Sequence, residues 1–240
     1  MAEYRKSVIV DSMTTKEILE VFMDDLRFLQ HKMEETKKNY KKLIRNSTKK
    51  ERIYYKPLNF QSARGFHYVI QYFKRSEDEI SKSNVKDKLG IIYYAWFLWK
   101  KGIHAITFSK MSSAWTNSFW HFKLYTPHFI DRYKERYLKD MSISKPDAFF
   151  MFIINNLKMT STGHPSEKYE NSVWEICHDG LCLGRILDKF TYEVKTFVSY
   201  EMTGIDQKEF ALRGRDSMLS IGFEMNLPDE NLEEFTEDVI

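Results

Sequence analysis

The sequence holds no Gly-rich phosphate loop, no Walker pattern, no zinc-finger spacing and no internal repeat. It therefore lacks the marks of P-loop nucleotide chemistry, of finger-type DNA readers and of solenoids. Paired carboxylates, Ser/His and Cys/His arrangements of any specificity are missing too, which leaves no ready-made hydrolytic centre. Long apolar runs are absent. The most apolar stretch, GIIYYAWFLW from Gly90 to Trp99, is about half the length of a spanning helix, and its aromatic and β-branched content suits a buried strand. The opening MAEYRKSVIVDSMTTKE has too short an apolar run for a secretory signal. An intracellular, cytoplasmic protein without a membrane segment is expected. There are only two cysteines, Cys177 and Cys182, in ICHDGLCL. Asp179-Gly180 is a two-residue hairpin signal that would set the two thiols opposite each other. An intracellular chain would keep them reduced. A metal site from Cys177, His178 and Cys182 is disfavoured because His178 would point to the other sheet face. No metal and no cofactor is expected.

What is present describes a folded chain. Of 240 residues, 42% are hydrophobic, enough for a sizeable core, and 30% are charged with both signs mixed. Aromatics are abundant, with 18 Phe and 14 Tyr. The net charge of +3 is ordinary, but its distribution is not. Lys37 to Lys56 carries nine basic residues against Glu51 alone, and the closing PDENLEEFTEDVI carries six acidic residues and no basic one. One reading is a solvated helix end and a flexible acidic tail. The other is a basic arm for phosphates, with Lys37, Lys38, Lys41, Lys42 and Arg45 supplying attraction, and a tail that competes for it.

Residues 14–46 read as one helix. Thr14 and Glu17 fit a capping box, and Ile18, Phe22, Leu26, Leu29, Met33, Tyr40 and Leu43 follow near helical spacing. That stripe must pack on the rest of the chain or on a copy of itself. From Glu51 to Tyr125 strands dominate: RIYYKPL, FHYVIQYFK, then IIYYAWFLW and IHAITFS around a turn at Lys100-Lys101-Gly102, then FWHFKLY. SEDEISKSNVKDK reads as a polar loop. Two helices follow, one opening at Thr126-Pro127 and one at Ser144 with Pro146 in its first turn. After the polar stretch TSTGHPSEKYENS come the strands VWEIC, LCLGRIL and EVKTFVSY, and a short helix IDQKEFALR begins after Gly204. The expected class is α+β: a helical arm over 1–50, an α+β domain over 51–220 with an antiparallel sheet region, a helical pair and a three-stranded antiparallel sheet closed by a helix, and an acidic tail over 221–240.

The helix YTPHFIDRYKERYL puts His128, Arg132 and Arg136 four apart on one drifting face, beside an apolar stripe of Phe129, Tyr133 and Tyr137. Asp131 and Glu135 fall on the other side. In the first turn the helix dipole disfavours a protonated His128, which could then act as a general base. Arg132 and Arg136 could grip a phosphodiester and stabilise charge building on it. These are parts for cleaving RNA without a metal, with Tyr200 or His178 as the acid. The opposing reading is a wet helix edge with Arg–Glu surface pairs.

TPHFIDRYKERYL resembles the H-x-x-x-R-x-x-x-R helix of small toxin-like ribonuclease families related to BrnT and RelE. The order of strands after it, with the DG turn and the late TFVS, is similar as well. The resemblance covers residues 125–207. It implies that His128, Arg132 and Arg136 form the site, with Thr196 as a weaker candidate. The chain is much longer than such toxins, and its N-terminal half has no counterpart among them.

Three functions are weighed. The first is RNA or other nucleic-acid binding, in its concrete form a metal-independent endoribonuclease, with aromatics available for base stacking. The second is a non-enzymatic phage or mobile-element structural or regulatory protein that works through a protein partner or as a homo-oligomer through its N-terminal helix. The third is a metal-dependent hydrolase using His104, His121, His128 or His164, for which no zinc-like spacing exists. His104 and His121 read as strand histidines, and Trp96, Trp99, Trp115, Trp120 and Trp174 as core residues rather than a stacking platform.

Overall fold

A computed structural model describes residues 9–82, 87–113, 116–157, 160–162 and 171–220. The class is α+β, and the chain divides into two compact units, 1–107 and 108–240. Trp115, His164, residues 163–170 of the polar stretch and the acidic tail lie outside the described residues. Among those described, no helix is long and apolar enough to cross a membrane.

The first unit opens with helix α1, Thr15–Arg45. Thr14 caps it: its hydroxyl accepts from the Glu17 amide at 3.3 Å, and the Glu17 carboxylate accepts from the Thr14 amide at 2.7 Å. Strands β1 (Ile53–Tyr54) and β2 (Leu58–Gln61) both pair antiparallel with β3 (His67–Lys74), and β4 (Leu89–Trp99) follows on the other side of β3. β5 (Gly102–Ser113) pairs with β4 through Gly102–Ile106. The β4–β5 loop has both of its residues, Lys100 and Lys101, in the left-handed region at φ 49° and 59°, the geometry that matches strand twist in a two-residue hairpin. The α1 stripe lies on this sheet. Phe22 packs edge-on against Phe66 at 5.0 Å, Tyr40 stacks on Tyr72 at 4.2 Å, and Tyr68 donates to Asp25 at 3.1 Å. The stripe differs at its end: Leu43 is exposed and Ile44 is the buried residue. SEDEISK is not all loop, because Glu77–Lys82 forms the short helix α2. Ser76 and Glu79 cap it reciprocally, a capping-box pattern that was present in the sequence.

The second unit contains β6 (Thr116–Tyr125), α3 (Pro127–Tyr133), a π-helical turn (Lys134–Leu138), α4 (Lys145–Asn155) and β7 (Thr160–Thr162). Strands β8 (Ser172–Cys177), β9 (Gly180–Asp188) and β10 (Thr191–Ser199) and helix α5 (Ile205–Ser220) complete it. The expected three strands β8–β9–β10 are antiparallel. They are extended on one edge by β7 and on the other by β6, which runs parallel to β10. One sheet face meets α5 through Trp174, Ile176, Leu181 and Phe210. On the other, Phe129 and Tyr133 of α3 and Phe152 of α4 form an aromatic cluster with Phe197 at 5.0–6.3 Å ring separations.

The β8–β9 turn is shifted by one residue from expectation. Cys177 pairs with Gly180, so His178 and Asp179 are the loop residues. Gly180 is needed for close approach: a Cβ there would lie 2.3 Å from the Val198 carbonyl oxygen. Cys182 consequently pairs with Glu175, and the two thiols sit diagonally and buried, without a disulfide, their sulfurs in hydrogen-bond contact at 3.9 Å. Burial, with the neighbouring Cys177 thiol, pushes the Cys182 thiol well up from its ordinary value.

Candidate functional site

Two features of the sequence offered chemistry: the cationic row on α3 and the basic segment of α1. The first belongs to the second unit and the second to the first.

In α3, Thr126 accepts from the Phe129 amide at 3.2 Å, and Pro127 occupies the first turn, where its missing N–H costs nothing. His128 is exposed there, and Arg132 Nε points at its Nε2 from 3.4 Å. These two do come together. Arg132 also forms an ion pair with Glu135, so Glu135 lies on the cationic side and not opposite to it. Asp131 does face away and binds Lys145 of α4 at 2.7 Å.

Arg136 leaves the row. The helix turns π-helical at Lys134, so its residues advance by less than the α-helical step, and the Arg136 guanidinium donates to the Phe197 carbonyl of β10. It lines a cavity of about 220 Å³ together with Tyr137, Lys139, Asp179, Ser199, Tyr200 and Glu201. Neither His128 nor Arg132 lines that cavity. Both proposed acids, by contrast, are near it. Tyr200 lines it, but its hydroxyl donates to the Cys177 carbonyl at 2.6 Å, and burial raises it far above an ordinary phenol. His178 Nδ1 lies 2.9 Å from Asp179 Oδ1. Thr196 is half-buried beside a bulge in β10.

Asp179 is the hub of this region. It is 2% exposed. Its Oδ2 accepts from the Tyr133 hydroxyl at 2.7 Å and from Asn156 Nδ2 at 2.8 Å, and its amide donates back to Asn156 Oδ1 at 3.0 Å. Nothing in the sequence marked this network, because its members come from α3, the end of α4 and the β8–β9 turn.

The basic segment keeps its character. Lys37, Lys38, Lys41, Lys42 and Arg45 are all exposed on α1. At about 100° per residue they share one arc of roughly 140°, about 12 Å long, which begins beside the packed Tyr40 and Ile44 and turns away from them. Lys42 and Arg45 stand in the last turn, where cations complement the helix dipole. Lys41 approaches Asp87 at 3.9 Å, the one ion pair the described residues give to these five. Beside them lies a cleft of about 310 Å³ bordered by Lys41, Ile44, Arg45, Asp87, Lys88 and Leu89.

Several of the described histidines and tryptophans pack within the sheets. His104 is buried between the rings of Phe97 and Trp99 at 5.7 and 5.0 Å. His121 sits edge-on to Tyr192, and burial, helped by Lys123, holds it below the usual imidazole range. Trp99 and Trp174 are buried, and Trp96 stacks flat on His67 at 3.8 Å. No cluster of three or more potential metal ligands occurs among the described residues.

No family model, no curated protein and no solved structure matches the chain.

Proposed function

We propose that the chain binds nucleic acid through the basic face of α1. The supporting observation is the single exposed arc of Lys37, Lys38, Lys41, Lys42 and Arg45, bordered by a cleft that adds Lys88. Five cations along about 12 Å match the charge density of a phosphate backbone, which carries one charge per ~3.4 Å of each strand. Of the described tryptophans, Trp99 and Trp174 are buried, Trp96 is stacked on His67 and Trp120 is half-buried against Phe108, and none is on α1, so the reading is a backbone contact without base readout. The α1 stripe is covered by the chain's own sheet, which removes the main motive for a partner helix there. Cleavage, the finer form of the proposal, rests on His128 and Arg132. Arg132 is held by Glu135 and Arg136 by Phe197, so the geometry favours binding over cleavage.

The test is binding of labelled single-stranded RNA and of duplex DNA between 50 and 200 mM salt, in chelator. Five contacts predict log–log salt slopes of up to about −3.5 and −4.5, or roughly a hundredfold loss for the single strand over that range. Replacing all five cations by Gln should flatten the slope with the fold intact, since none is buried. A wild-type slope near zero, or equal binding by the Gln variant, defeats the proposal. RNA cleavage that disappears in His128→Ala would shift the reading to a ribonuclease.

A further inference from the structure

We propose that the cavity between the π-helical turn and the end of β10 is an oxyanion site that takes phosphate, either free or as a phosphomonoester. This is independent of the α1 face. The cavity of about 220 Å³ is smaller than sites that enclose drug-sized ligands, and suits an ion or one functional group of a larger molecule. Three of its lining groups can donate to a ligand. Arg136 spends one N–H on the Phe197 carbonyl and has the rest of its fork for a ligand. Lys139 ends the helix in the left-handed region at φ 52° and lines the cavity with a largely exposed side chain. Ser199 is 6% exposed, and its hydroxyl has no hydrogen-bond partner. A buried hydroxyl without a partner is rare in folded proteins, and rotation about the Ser199 Cα–Cβ bond would turn it toward an acceptor bound in the cavity that the residue lines.

The two acids in the lining do not cancel this. Asp179 accepts from Tyr133 and Asn156 at one oxygen and meets His178 at the other, so both of its oxygens are engaged by neighbours and it serves as a wall. Glu201 is 67% exposed and only 3.8 Å from Lys139, a loose pair that a ligand would compete with. Two cations and one hydroxyl acting together select an anion with several acceptor oxygens.

The experiment compares the thermal stability of the full chain in phosphate and in chloride at matched ionic strength, with calorimetric titration for affinity. Phosphate should raise the midpoint, with a dissociation constant on the order of 1 mM. Adenosine 5′-monophosphate is the second arm: tighter binding than phosphate assigns the site to a phosphomonoester, and equal binding assigns it to the free ion. Ser199→Ala and Lys139→Gly both suit the fold, the first by removing an orphaned hydroxyl and the second by relieving the left-handed residue. Each should weaken phosphate about fivefold, while Glu201→Gln should tighten it about threefold. Gln replacement on α1 should leave phosphate binding unchanged. No shift beyond chloride at about 20 mM phosphate overturns the site. So does unaltered affinity in both Ser199→Ala and Lys139→Gly.

Discussion

Removing the Tyr133 hydroxyl tests the Asp179 hub directly. Tyr133→Phe keeps the ring packed against Phe152 and Phe197, so it opens almost no cavity. It deletes the 2.7 Å bond to Asp179 Oδ2 and leaves that oxygen with Asn156 alone. It also removes the acceptor that Asn155 Nδ2 uses at 3.3 Å. A hydrogen bond to a charged group is worth about 1.5–3 kcal/mol, and a buried carboxylate that loses a donor stays desolvated. The expected loss is therefore about 2 kcal/mol in urea unfolding. Asn156→Ala should cost more, because it breaks two bonds to Asp179 and one to the Phe152 carbonyl. Tyr133 and Asn156 share one oxygen, so the double variant should deviate from additivity by at least about 0.5 kcal/mol. A Tyr133→Phe cost under about 0.5 kcal/mol, with additive behaviour, would show that Asp179 is not held as described.

Alkaline stability offers a second check. Burial, with Asp25 beside Tyr68 and Asp179 beside Tyr133, raises the Tyr68, Tyr133 and Tyr200 phenols far above their ordinary value. The unfolded chain releases these protons near pH 10 while the folded chain keeps them, so stability is whole below pH 10 and falls above it. Each tyrosine contributes about 1 kcal/mol between pH 10 and 11, rising toward about 1.4 kcal/mol per pH unit above that, and Tyr68→Phe should remove one share of the slope between urea midpoints at pH 10 and 11. At the β4–β5 turn, Lys101 occupies φ 59°, and Lys101→Gly should stabilise by about 0.5–1 kcal/mol in the same assay. A loss there would mean that the lysine side chain contributes more than its backbone strain costs.

Much of the architecture was legible from local rules. The Thr14 capping box, the Thr126 and Ser144 caps with their following prolines, and the turn at Lys100-Lys101 each depend on residues within a few positions, and each occurs as the pattern indicates. The α2 cap at Ser76–Glu79 was equally local and was masked by the polar composition around it. The turn at Asp179-Gly180 shows the limit. An isolated DG pair favours a turn at those two residues, but Gly180 is committed to close contact with β10, and the hairpin forms one position earlier.

The candidate sites divide in the same way. The basic face of α1 follows from helical period alone, since five exposed cations on one arc need only the helix to exist. The α3 row needed more. A helix wheel assumes a constant step, and the π-helical turn at Lys134–Leu138 changes that step where Tyr133 and Tyr137 pack on Phe197. His128 and Arg132 stay on the wet edge, while Arg136 swings to β10 and joins Lys139 and Ser199 around a cavity. By itself the sequence determined element types, caps and the charge of each face, because these follow from neighbours along the chain. Tertiary structure alone decided which polar groups became buried together and which cation left its row, because those outcomes depend on packing between segments far apart in sequence.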